Sequence, residues 1–188
     1  MSMRLPILPA ADLNDQQREL YDHIVHGRRA SGPRLSSLTG PDGGLIGPFN
    51  AMLYAPAVGE ALQALGVSVR YGTSLTDRAR ELAILAVANH WDSAFERQAH
   101  EAIGRSVGLT DEEIEAMRAG VDPVLDDPTE RWVVEVARAL LSHGDLDDEE
   151  FDEARAALGL PALVELSTLV GYYGTLALQM RIFRVDAR

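Results

Sequence analysis

The stretch from Arg80 to Glu101, RELAILAVANHWDSAFERQAHE, decides the fold. Every residue from Leu82 to Ala88 is apolar, so a helix there has no polar side and belongs in the interior. Glu81 stands at the mouth of this run and shares a face with Ile84, Leu85 and Ala88 at the i+3, i+4 and i+7 spacings. A carboxylate in that position needs a partner or a purpose. After a turn at His90, Trp91 and Asp92, a second helix opens at Ser93 and carries Glu96 and His100 four residues apart on one face. Three groups able to move protons therefore converge on two adjacent helices.

The flanking sequence repeats the helical theme. No segment shows the alternating period of a strand, and the long segments end in helix caps, which predicts an all-α domain of about seven or eight helices. Asn14 with Gln17 and Thr110 with Glu113 read as capping boxes, and Thr76 caps the central helix. LDDEEF at 146–151 echoes LTDEEI at 109–114, each a capped acidic helix start. Leu20, Tyr21, Ile24 and Val25 form one apolar stripe, and Val58, Leu62, Leu65 and Val69 another. Asp126, Asp127 and Pro128 announce a helix with Trp132, Val133, Val136, Ala137, Leu140 and Leu141 inward, closed by Gly144. The final helix is expected from Pro161 to about Phe183, with Gly171 and Gly174 permitting close helix approach.

Residues 1–47 divide into an extended arm with Pro6 and Pro9, one helix, and a Gly/Pro-rich loop; residues 48–188 hold the helical domain. The loop piece GPDGGLIG lacks the following Lys and Ser or Thr of a phosphate loop, so its glycines are read as turn residues, with a flap as the alternative.

Composition narrows the function classes. The 188 residues suit one domain, and 46% hydrophobic against 24% charged residues provides for a sizeable core. Seventeen Lys and Arg against 29 Asp and Glu give a net charge of −12, which repels nucleic acid and anionic membrane surfaces. There is no cysteine, hence no disulfide and no thiol nucleophile. The longest unbroken apolar run is far shorter than the ~18 residues of a membrane span, and the first residues lack a signal-peptide core. A cytoplasmic location is expected.

The spacing from Glu81 to Ser93, Glu96 and His100 resembles the core motif of the carboxymuconolactone decarboxylase and alkylhydroperoxidase D superfamily. In the peroxidase branch a glutamate precedes a CxxC pair, with a histidine four residues after the second cysteine. Ser93 and Glu96 occupy the cysteine positions here, so the resemblance is to the cysteine-free members. It implies an alkylhydroperoxidase D-like fold, a trimer or hexamer, and lyase chemistry without cofactor on a small carboxylated, lactone or carbonyl substrate, as in aromatic compound catabolism. The alternatives are a peroxide-reducing enzyme, against which the missing cysteines speak, and an oligomeric binding protein without catalysis.

On this reading Glu81, Glu96 and His100 are the candidate catalytic residues. Ser93, Asn50, Tyr54 and Tyr172 are candidate substrate-binding residues; Asn50 and Tyr54 flank apolar residues near a helix break, and Tyr172 offers a hydroxyl beside apolar rings. Each has a plainer explanation. Ser93 and Glu96 fit a capping box, Glu81 fits an ion pair with Arg78 or Arg97, and the tyrosines and Asn50 fit packing and turn capping. No metal is assigned, since no HExxH or multi-histidine spacing accompanies the carboxylates.

Overall fold

The computed structural model describes residues 3–28 and 38–185. Among these lie eight helices: α1 Asp15–His26, α2 Pro48–Leu53, α3 Pro56–Tyr71, α4 Asp77–His90, α5 Ala94–Ser106, α6 Asp111–Ala119, α7 Pro128–His143 and α8 Asp148–Phe183. The described residues contain no strand, only an isolated bridge between Thr39 and Leu45.

Helix α4 is the axis of the molecule. It is buried without interruption from Ala79 to Ala88, as its all-apolar sequence requires, and packs against α5, α6, α7 and α8. The helix starts are chemically explicit. Asn14, Thr110 and Asp147 each close a full capping box, so the echoing LTDEEI and LDDEEF segments share one capping rule. Gly120 and Gly144 end α6 and α7 in the left-handed conformation. Arg78, on α4, donates to Glu130 at 2.9 Å, to Glu113 at 2.8 Å and to the Gly108 carbonyl, tying α4 to α6 and α7.

Two expectations are corrected. The inner face of α3 is Gly59, Gln63, Gly66 and Val69, while Val58 and Leu65 are exposed. The reason is close packing: a Cβ on Gly59 would stand 2.5 Å from the Met52 carbonyl oxygen and 2.6 Å from Leu20 Cδ2, so α3 approaches through its glycines. Within α8 the acidic helix begun at Asp148 breaks at Gly159 (φ 78°, ψ 157°), and the last helical stretch starts at Pro161, as expected, and runs to Phe183. In that helix a Cβ on Gly171 would meet nothing within 4 Å, whereas one on Gly174 would touch Trp91 Nε1 at 3.5 Å; only Gly174 faces a neighbour.

Helix α8 is also long and apolar enough to cross a membrane by length and composition, although no unbroken apolar run suggests it. Its inner side is committed to the core through Leu166, Leu169, Tyr172, Tyr173, Leu176 and Met180. The arm lies against the domain, with Arg4 N donating to the Phe183 carbonyl at 2.9 Å. In the loop, Gly40 N donates to Gly44 O at 2.9 Å, a turn role for these glycines; Gly32 and Pro33 lie outside the described residues.

Because the Met52 carbonyl cannot move aside, overpacking outweighs the helix propensity gained by replacing Gly59. Gly59→Val is expected to cost about 1–3 kcal/mol. Urea unfolding should show a lower midpoint at unchanged slope.

Candidate active site

The turn between α4 and α5 fixes the site. Asp92 adopts a left-handed conformation (φ 48°), which aspartate tolerates better than most residues. Its N–H donates to Asn89 O at 3.1 Å, and the Ser93 N–H donates to Ala88 O at 2.9 Å. These two bonds make a Schellman motif, which closes α4 and sends the chain back along it. The consequence for α5 is direct. A capping box needs the N-cap amide to receive the Glu96 carboxylate, and in Ser93 that amide is already spent on Ala88. Ser93 Oγ also makes no side-chain cap, and the capping-box reading of Ser93 and Glu96 is replaced by two buried polar groups without one.

Glu81 and His100 meet across the hairpin. His100 Nδ1 lies 2.6 Å from Glu81 Oε2, with Glu81 1% and His100 7% exposed. Arg70, from the last turn of α3, approaches Glu81 Oε1 at 3.8 Å and donates to Tyr173 Oη at 3.2 Å. The Tyr173 ring in turn stands edge-on to the His100 ring, centroids 5.2 Å apart. Burial strongly favours a neutral Glu81, yet His100 first, then Arg70 and Arg80, outweigh it and hold the carboxyl below its ordinary value. Glu81 is a buried carboxylate with cationic support on two sides.

The expected ion-pair partners of Glu81 are elsewhere. Arg78 binds Glu113 and Glu130, and Arg97 binds Asp92 at 3.0 Å; the partner is Arg70. Sequence reasoning missed Arg70 because a basic residue in the last turn of a helix is ordinary. Of the two adjacent tyrosines, Tyr172 is buried and stacks edge-on against Tyr173 at 5.1 Å, while Tyr173 is the one that reaches His100. Asn50 and Tyr54 bind the arm: Asn50 accepts from Leu8 N and donates to Pro6 O, both at 3.0 Å, and Tyr54 Oη donates to Pro6 O at 2.7 Å.

Glu96 sits one turn before His100 and is 3% exposed, and neither carboxyl oxygen has a hydrogen-bond partner. Ser93 Oγ is likewise buried without one. Burial pushes the Glu96 carboxyl up to about 8; the nearby Ser93 hydroxyl lowers it by less, at no regular hydrogen-bond geometry. Two glutamates on one hairpin thus have opposite protonation preferences. Among the described residues, no three His, Asp or Glu side chains are grouped as metal ligands.

Fold and site together define an all-α protein built around a helical hairpin that carries a buried glutamate–histidine pair. Residues 56–139 match the carboxymuconolactone decarboxylase family, which supports a place for the chain in the carboxymuconolactone decarboxylase and alkylhydroperoxidase D-like superfamily. No curated protein matches the sequence. Among solved structures, the chain is similar to an alkylhydroperoxidase core, an uncharacterized peroxidase-related protein from Ralstonia eutropha. That likeness has a TM-score of 0.77 at 14% identity over 99% of this chain and 92% of the other. A protein of unknown function from Agrobacterium tumefaciens, a putative antioxidant defence protein, gives 0.67 at 21% identity over 76% and 98% of the two chains. A debrominase in complex with 2,3,4-tribromopyrrole gives 0.73 at 14% identity over 100% and 93%. At these identities the likeness is one of fold.

The raised Glu96 carboxyl sets the sign of a pH effect on stability. Between about 4.5 and about 8 the folded protein retains a proton that the unfolded chain releases, so this group's contribution falls as pH rises. Glu96→Gln removes the dependence. Urea unfolding should show the variant gaining on the wild type from about pH 5 to about pH 9, by on the order of a few kcal/mol.

Proposed function

We propose that the protein is a cofactor-free lyase of the carboxymuconolactone decarboxylase type, acting by proton transfer on a small carboxylated, lactone or carbonyl substrate. The observation that carries this reading is the buried 2.6 Å contact between His100 Nδ1 and Glu81 Oε2. A carboxylate on Nδ1 orients the imidazole and stabilises its protonated form, and with Nδ1 so held, Nε2 exchanges the proton with substrate. Loss of CO2, or migration of a double bond beside a carbonyl, leaves an enolate whose carbon must be protonated. Histidine, with an ordinary pKa of about 6.5, suits that task near neutrality. Arg70 and Tyr173 position the pair from α3 and α8.

A peroxide-reducing activity is the second reading, favoured by the peroxidase-related and antioxidant structures of similar fold. A thiol cycle through sulfenic acid and disulfide needs cysteine, and the sequence contains none. The third reading, a binding protein without turnover, treats the Glu81–His100 contact as structural. The proposal includes a cytoplasmic homo-oligomer. Supporting assembly, Leu160, Val164, Leu178 and Ile182 on α8 are all exposed, an apolar face that none of the described residues covers. Light scattering should give a mass above the 20.5 kDa of one chain.

If Glu81 and His100 act as one unit, Glu81→Gln and His100→Gln each lower turnover of a lactone or keto acid about a hundredfold or more. The double variant is then scarcely worse than either single one. A purely structural pair gives the opposite pattern: each single variant loses about 3–5 kcal/mol of stability while turnover per folded molecule stays at the wild-type level. Thermal melting measured beside activity separates the two.

A further inference from the structure

The mechanism above leaves Ser93 and Glu96 unused, although both are buried in the first turn of the helix that carries His100. The Schellman turn takes the Ser93 amide away from Glu96, so the carboxyl has no backbone donor to cap, and both of its oxygens lack a partner. The cations nearby are committed elsewhere. On α4, Arg78 binds Glu113 and Glu130, and Arg80 binds Asp77. On α5, Arg97 binds Asp92 and Arg105 binds Asp111; on α6, Arg118 binds Glu101; Arg70 of α3 faces Glu81. Glu81 itself is turned to His100. Among the described residues no ion pair reaches Glu96. A buried carboxyl with two unsatisfied oxygens, beside a buried hydroxyl with none of its bonds made, is costly unless something else completes it.

We propose that Ser93 and Glu96 form an oxygen-binding subsite, in which the hydroxyl and a protonated carboxyl both donate to an oxygen of a carbonyl or carboxylate group on the ligand. Its place one turn before His100 puts this subsite on the same face of α5 as the imidazole. The inference rests on the proton-transfer reading only for what happens next: negative charge that develops on the bound oxygen during reaction is met by two donors already in place. An anionic ligand also reinforces the neutral state of Glu96, because a second negative charge beside it favours the acid form. The burial that raises the Glu96 carboxyl to about 8 agrees with a donor at neutral pH. The ligand class that follows is a small molecule with a carboxylate or keto oxygen, held by neutral donors rather than by an arginine.

The test uses the full-length protein, with 4-oxopentanoate, a small keto acid, as probe. Infrared difference spectra of wild type against Glu96→Gln, near pH 7, should show the carbonyl band of a protonated carboxylic acid that the variant lacks. The probe should shift that band to lower frequency, and Ser93→Ala and Glu96→Gln should each weaken probe binding about tenfold or more. No acid band near pH 7, or a band that the probe leaves in place with affinity equal in all three proteins, overturns the subsite. Retained helicity by circular dichroism identifies variants that remain folded, and Ser93→Thr, which keeps the hydroxyl, should retain most of the affinity. Failure of the proton-transfer reading looks different: Glu81→Gln and His100→Gln then keep full turnover, whatever the infrared band does.

Discussion

The structure depends on keeping one charge inside it. Glu81 lies at the head of a helix that is otherwise apolar for seven residues and buried for ten, and its carboxylate is 1% exposed. An uncompensated carboxylate there costs several kcal/mol, enough to consume much of the stability of a domain. Compensation comes from three other helices: His100 from α5, Arg70 from α3, and Tyr173 from α8, which accepts from Arg70 and stacks on His100. Helices that the apolar core already packs together are thereby tied at one specific point. The apolar core supplies most of the free energy, and the buried charge supplies a reason for one arrangement of it.

The opposed states of Glu81 and Glu96 follow from what each is given. Both are buried on the same hairpin, and burial raises both. Only Glu81 has cations to reverse the effect. The difference originates in the turn, where the Schellman bond withdraws the backbone donor that would otherwise have capped Glu96. One amide hydrogen thus decides whether the second carboxyl is a structural cap or an available acid.

What the sequence revealed divides along physical lines. Caps, the central apolar helix and the all-α class were legible because each is encoded within a few residues, as at Asn14, Thr110 and Asp147. The Glu81–His100 contact was legible because helical spacing and a short turn bring the two side chains together, whereas Glu96, one turn before His100, hydrogen-bonds to neither. Arg70 was not, since it stands in no local pattern and its contact with Tyr173 joins residues far apart in the chain. The α3 face was misread because apolar periodicity marks Val58 and Leu65, whereas the packing is governed by the absence of a side chain at Gly59. The rule that finds stripes of large residues cannot see a face made of small ones.

The brevity of the α4–α5 turn implies an order of assembly. Glu81 and His100 are 19 residues apart, so closing the hairpin brings them together at small entropic cost, while Arg70 and Tyr173 close a loop of 103. Local contacts generally form before such distant ones. During synthesis, then, the glutamate and histidine can pair while α8 is still being made, in a hairpin not yet sealed from water. The desolvation that makes the pair unusual arrives only with the last helix. A nascent chain halted before α8 would carry the recognisable motif and lack the environment that gives the motif its chemistry.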